Sequence, residues 1–383
     1  MRLLATKSAL MLLILLCSVV LFGCNSAKQA ANTPTPTPTP TPASATVATG
    51  TNPDAVAVNP VTNKIYVANQ GDNLDGNSVT VIDGATNNTT TVVVGTGPGA
   101  VAVNPTTNQI YVANQGSNNV TVIDGATNNT TTVAAGTGPG AVAVNPNTNQ
   151  IYVANFNSNN VTVIDGATNN TTTVAAGTAP CAVAVNPNTN QIYVVNFEGN
   201  GGINSGSVTV IDGATNSTTT VAAGGYPYAV AVDPNTNQIY VVNSCLGGCI
   251  GGSVTVIDGA TNNTTTVADG NLPFAVAVNS VTNQIYVANS LTGAGVTVID
   301  GVTNNTTTVA DGGAPWDVAV NPNTNQIYVA NFNSNNVTVI DGATNNTTTM
   351  AVGTGPRAVA VNPTTNQIYV ANTASNNVTV LTP

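Results

Sequence analysis

The stretch Asn108-Gln109-Ile110-Tyr111-Val112-Ala113-Asn114 returns seven more times, with lysine for glutamine once and valine for alanine twice. Its tyrosines are Tyr66, Tyr111, Tyr152, Tyr193, Tyr240, Tyr286, Tyr328 and Tyr369, spaced by 45, 41, 41, 47, 46, 42 and 41 residues. A period in the forties built from short alternating segments is the mark of a β-propeller blade, not of separate domains. The copies also act as internal controls. A residue on which all agree serves the blade, and a residue on which one departs is free to serve something else.

Outward from the motif, each copy breaks into four β-prone segments. In the second copy they are Ala100–Asn104, Gln109–Asn114, Val120–Asp124 and Thr130–Ala135, here called A to D from the propeller axis outward. Asn104-Pro105-Thr106-Thr107-Asn108 separates A from B, with proline presetting φ and asparagine capping the turn. Asp124-Gly125-Ala126-Thr127-Asn128-Asn129 separates C from D. Segments A, B and C each occur eight times, but D follows only seven of them, because the chain ends at Pro383. Residues Ala45 to Gly50 match the D pattern, so the N-terminal strand is expected to complete the last blade and close the ring. The expectation is an all-β, eight-bladed propeller of four-stranded antiparallel blades over residues 45–383.

In the third copy, Ile151-Tyr152-Val153-Ala154-Asn155, Val161-Thr162-Val163-Ile164-Asp165 and Gly177-Thr178-Ala179-Pro180 resemble the YVTN-type propeller repeat of bacterial and archaeal secreted proteins. The resemblance runs from Ala45 to the C-terminus, with alanine or valine in place of the threonine of the family name. It implies a cell-surface or periplasmic protein with no assigned reaction. It also implies seven blades as the common number, the alternative to the eight counted here.

Because strands reverse in an antiparallel meander, the A–B and C–D turns share one face of the disc and the B–C and D–A loops the other. Length changes fall only in B–C, at Gln70–Ser78, Phe197–Ser207, Ser244–Ser253 and Ser290–Gly295. The D–A loop keeps its length and changes its chemistry. The residue after its proline is Asp54, Gly99, Gly140, Cys181, Tyr228, Phe274, Trp316 and Arg357 in blade order, a ring expected at the channel mouth. Seven aromatics beyond the blade tyrosines (Tyr226, Tyr228, Phe274, Trp316, Phe156, Phe197 and Phe332) map to this varying face. An apolar patch with a polar rim marks a binding site, although the same rings would also serve to plug a wide mouth. Asp317 and Asp311 belong to the same face, and Arg357 is expected between Asp317 and Asp54 as an ion cluster or a polar clamp. The candidate ligand-binding set is Tyr226, Tyr228, Phe274, Trp316, Asp317, Arg357, Asp54 and Asp311.

Composition removes whole classes of chemistry. The chain has no histidine, which excludes Ser-His-Asp and Cys-His nucleophiles and His-ligated metals. Within the repeats only Lys64 and Arg357 are basic, against fifteen acids, so a nucleic-acid footprint is missing. Residues 1–24 read as an export signal: Arg2 and Lys7, an apolar run from Leu10 to Phe22, then Leu21-Phe22-Gly23-Cys24, which resembles a lipobox with Cys24 as the lipidated residue. Ordinary signal cleavage and an uncleaved anchor are the other readings. Residues 25–44 form a Thr/Pro-rich linker, and the five Thr-Pro pairs from Thr33 to Pro42 span roughly 30 Å as polyproline II.

The seven Ile-Asp-Gly sequences of the C–D turn place Asp83, Asp124, Asp165, Asp212, Asp258, Asp300 and Asp341 before glycine, where they read as turn caps rather than metal ligands. Asp72-Asn73-Leu74-Asp75-Gly76-Asn77 carries loop oxygens of the kind calcium uses, but its spacing fits no EF-hand. No other cofactor is indicated. Cys245 and Cys249 share one B–C insertion and suit a disulfide outside the cytoplasm, leaving Cys181 unpaired. The reading is a lipid-anchored, extracytoplasmic, non-enzymatic scaffold that contacts a membrane through its lipid and binds a protein or glycan. Two alternatives stand beside it: a polysaccharide-active enzyme with a carboxylate pair from Asp54, Asp311 and Asp317, and a purely structural surface protein.

Overall fold

Eight four-stranded antiparallel sheets follow one another along the chain, each starting at a strand A and running outward through B, C and D. The computed structural model describes residues 43–198, 205–244, 251–291 and 293–382, and its strands run from β1 (Ala43–Ala48) to β32 (Asn377–Thr382). Strand β1 pairs antiparallel with β32, from Ala43 opposite Thr382 to Ala48 opposite Asn377, and so supplies the outer strand of the last blade. The expected count of eight and the expected closure both hold. Innermost strands touch around the whole circle, including the first blade against the eighth.

The pleat explains why the motif is so uniform. Successive strand residues face opposite sides, so each strand B packs one face on the preceding blade and one on the next. Tyr111 and Ala113 point forward into a cluster with Ile151, Val153 and Ile164 of the following blade. The same cluster closes the ring, where Val47, Tyr369 and Val378 meet Ile65, Val67 and Ile82. All eight blade tyrosines are fully buried. Burial pushes the hydroxyl of Tyr111 up to about 12.

Asparagine does the polar work. In every A–B turn an asparagine takes a left-handed φ, as at Asn108 (56°) and Asn149 (55°), a conformation this residue tolerates well. The buried asparagine ending strand A then donates Nδ2 to that turn residue in the next blade, as Asn104 does to Asn149 Oδ1 at 2.8 Å. Across the closure, Asn362 does the same to Asn63 at 2.7 Å. Asp233 replaces this asparagine in the fifth blade, and both its Oδ2 and the facing Asn283 Oδ1 lack a hydrogen-bond partner.

The turn aspartates are caps, as the sequence suggests. Asp124 Oδ1 accepts from Ala126 N, Thr127 N and Thr127 Oγ1 at 2.9, 2.8 and 3.0 Å. These hydrogen bonds hold its carboxyl below the usual carboxylate range.

Candidate functional site

Every strand A begins with a β-bulge, and the bulged residue is the variable one. The register with strand B shifts between Pro98 and Ala100, skipping Gly99. It shifts likewise around Asp54, Gly140, Cys181, Tyr228, Phe274, Trp316 and Arg357. A bulge leaves its extra residue unpaired and re-aims the side chain. Here it happens at the same point of all eight inner strands.

The residue before each proline is left-handed as well. Glycine fills that position in three blades, at Gly97, Gly138 and Gly355, and Asn52 in the first. In the remaining four it is Ala179, Tyr226, Leu272 and Ala314, with φ of 54°, 51°, 56° and 52°. Left-handed backbone at a residue with a Cβ costs roughly 1–2 kcal/mol. Such strain gathers at functional sites, and here it gathers on one half of the ring.

That half also carries the rings. Phe197 meets Tyr226 with centroids 5.2 Å apart and Tyr228 at 6.5 Å. Tyr228 meets Phe274 at 4.1 Å, Phe274 meets Trp316 at 4.9 Å, and Trp316 meets Phe332 at 5.0 Å. The Arg357 guanidinium lies 5.2 Å from the Trp316 ring centroid, within cation–π range. Arg357 Nε also pairs with Asp54 Oδ1 at 2.6 Å, so the arc ends in an ion pair between the eighth and first blades. All six rings keep part of their surface exposed. Phe156, assigned to the same face from sequence, has no ring contact.

Six of the eight candidate residues line one cavity of about 330 Å³: Asp54, Tyr228, Phe274, Trp316, Asp317 and Arg357. Tyr226 joins from the rim through Phe197. Asp311 stays outside the cavity lining; its Oδ1 accepts from Gly313 N at 2.9 Å. The expected cluster of Arg357 between two acids is corrected at Asp317. Its two oxygens accept from Val318 N and from Val359 N of the next blade, at 2.9 and 2.8 Å. Inner-strand N–H groups facing the channel have no ladder partner, so a carboxylate there finds two donors closer than the guanidinium. Desolvation pushes Asp317 up to about 6 against those two hydrogen bonds. Burial also raises Asp54, opposed by Arg357.

Across the mouth the chemistry is sparse. Gly99 and Gly140 offer no side chain, and a Cβ built on Gly140 would meet nothing nearer than 4.0 Å. The Cys181 thiol lies 3.6 Å from the carbonyl oxygens of Pro227 and Tyr228, and burial pushes it up to about 12, which removes thiolate reactivity. Asp72 and Asp75 border a separate cavity with Asn69 and Asn77. Among the described residues no three acidic or sulfur side chains come together as a metal site. Cys24, Cys245 and Cys249 lie outside the described residues.

Comparison with known proteins extends the fold. The NHL repeat family profile matches residues 314–340, which include Trp316, Asp317 and the following strand B. No curated protein matches the chain in sequence. Among solved structures, hydrazine synthase of Kuenenia stuttgartiensis superposes with a TM-score of 0.64 at 20% identity, over 87% of this chain and 96% of that one. At that identity the likeness is one of fold.

Proposed function

We propose that this propeller is an extracytoplasmic binding scaffold, anchored by a lipid on Cys24 and recognising its partner through the channel mouth. The observation that carries the reading is the eightfold bulge. One structural device sets a residue at the mouth in every blade, and only on one half of the ring are those residues Tyr228, Phe274, Trp316 and Arg357. Packing alone does not call for that asymmetry, because blades two and three close the same bulge with glycine. The export signal, the Thr-Pro spacer and the YVTN-type motifs support a cell-surface or periplasmic setting.

A carboxylate-pair enzyme is less well supported. Asp54 is engaged by Arg357, Asp317 by two backbone N–H groups, and Asp311 does not border the cavity. The test uses the purified full-length protein against cell-envelope fractions from its host. Retention is expected to fall at least tenfold in a Tyr228→Ala/Phe274→Ala variant with an unchanged melting temperature. Equal retention by both proteins would reject the mouth as the binding site.

A further inference from the structure

We propose that the mouth takes a neutral saccharide, a pyranose chain laid with its C–H face on the aromatic arc; this rests on the mouth being the binding site. Three observations narrow the ligand to that class.

The first is charge. Arg357 is met by Asp54 and stacked on Trp316, and the carboxylate of Asp317 is met by two backbone donors. Among the described residues, the one cation at the cavity is thus paired and offers an anion no free positive charge, and the Asp317 carboxylate has both oxygens taken up by backbone donors. The chain as a whole carries a net charge of −10, which disfavours anions further. A cationic headgroup has no cage to enter, because Tyr228, Phe274 and Trp316 follow one another at 4.1 and 4.9 Å as a part-exposed arc rather than surrounding a space, and the Arg357 guanidinium beside Trp316 would repel it.

The second is the pairing of an apolar platform with a two-sided polar end. Arg357 is 35% exposed and engages Asp54 through Nε, which leaves its terminal N–H groups as donors beside a carboxylate acceptor. Vicinal hydroxyls use both, since each donates and accepts. An oligoproline segment stacks on rings equally well, but having no N–H groups it offers carbonyl acceptors only and gives Asp54 no donor beyond Arg357.

The third is room. A Cβ built on Gly140 would meet nothing nearer than 4.0 Å, which leaves the mouth open there, and neither Gly99 nor Gly140 is left-handed, so neither glycine is required by its backbone. Gly140→Trp therefore narrows the mouth at a position where the seventh blade already carries Trp316 on the same bulge.

Isothermal titration of the full-length protein with cellohexaose, linear galactan oligomers, polygalacturonate and an oligoproline peptide tests the assignment. At least one neutral oligosaccharide should saturate, with affinity changing less than about twofold between low and high salt. Binding should weaken about tenfold or more in both Trp316→Ala and Gly140→Trp. Equal or tighter binding of polygalacturonate, or binding that collapses with salt, overturns the neutral assignment. Saturation by the peptide alone overturns the saccharide but keeps the mouth as a binding site. If no titrant binds in a manner sensitive to Trp316→Ala, the saccharide assignment falls, and the mouth itself stands or falls separately by the envelope-retention comparison.

Discussion

At the scale of single residues, the ring at the mouth was readable from position: eight residues follow a proline at a fixed point of each copy. Their convergence on one cavity follows from the bulge, which was not readable. A register shift has no side-chain signature when the shifted residue is different in each blade. Asp317 shows the same limit. Sequence puts it near Arg357, but only backbone geometry reveals the two free N–H groups that claim it. Its raised carboxyl makes a signed prediction. Between its ordinary value of 3.8 and about 6 the folded state holds the proton that the unfolded state has released, so stability falls as pH rises through that window. The size is about 2 kcal/mol after allowing for residual solvent contact. Turn caps such as Asp124 act oppositely, losing their contribution as pH falls through a lowered value. Denaturation measured from pH 3 to 8 should therefore peak near pH 4–5, and Asp317→Asn should flatten the descent above the peak. A second residue separates stability from recognition. Tyr226→Gly relieves a left-handed tyrosine while losing the Phe197 ring contact, effects of about 1 kcal/mol each and opposite sign. Its melting temperature should stay near that of the parent while envelope binding weakens.

At the scale of the element, the strands follow alternation and turn chemistry so closely that segments read from sequence and strands in the fold differ by a residue or two. Ala100–Asn104 becomes a strand from Pro98 to Asn104, and Thr130–Ala135 one from Thr130 to Ala134. The blade tyrosine, present in all eight copies and fully buried in each, serves the blade, with one subtlety that the repeats conceal. The hydroxyl of Tyr328 donates to Gln326 Oε1 at 2.7 Å, whereas that of Tyr111 is buried without a partner. Identical motifs thus differ in whether the neighbouring glutamine accepts the tyrosine hydroxyl, which no sequence reports. Tyr328→Phe should cost about 1 kcal/mol in chemical denaturation, and Tyr111→Phe should be neutral or slightly stabilising. Tyr111→Ala, which empties a packed site, should cost roughly 3–5 kcal/mol.

At the scale of the whole molecule, counting strands gave the ring its eight blades and its closure, because a missing outer strand at one end had its match at the other. The closure carries a load that a local reading of Ala43–Ala48 does not show, since Val47 packs with residues of both the first and last blades. Val47→Asp places a charge at 5% exposure across that seam and should destabilise by about 3 kcal/mol or more, whereas Val61→Asp, at 74% exposure, should change little. The function of the ring is legible only as asymmetry, since scaffold residues repeat and the mouth does not. Whether the aromatic half is an open surface or a plug is decided most directly by acrylamide quenching of Trp316, the single tryptophan of the chain. An open arc predicts quenching in the free protein and protection when the envelope ligand is bound. A blue-shifted emission that acrylamide does not reach, unchanged by any envelope fraction, would contradict it.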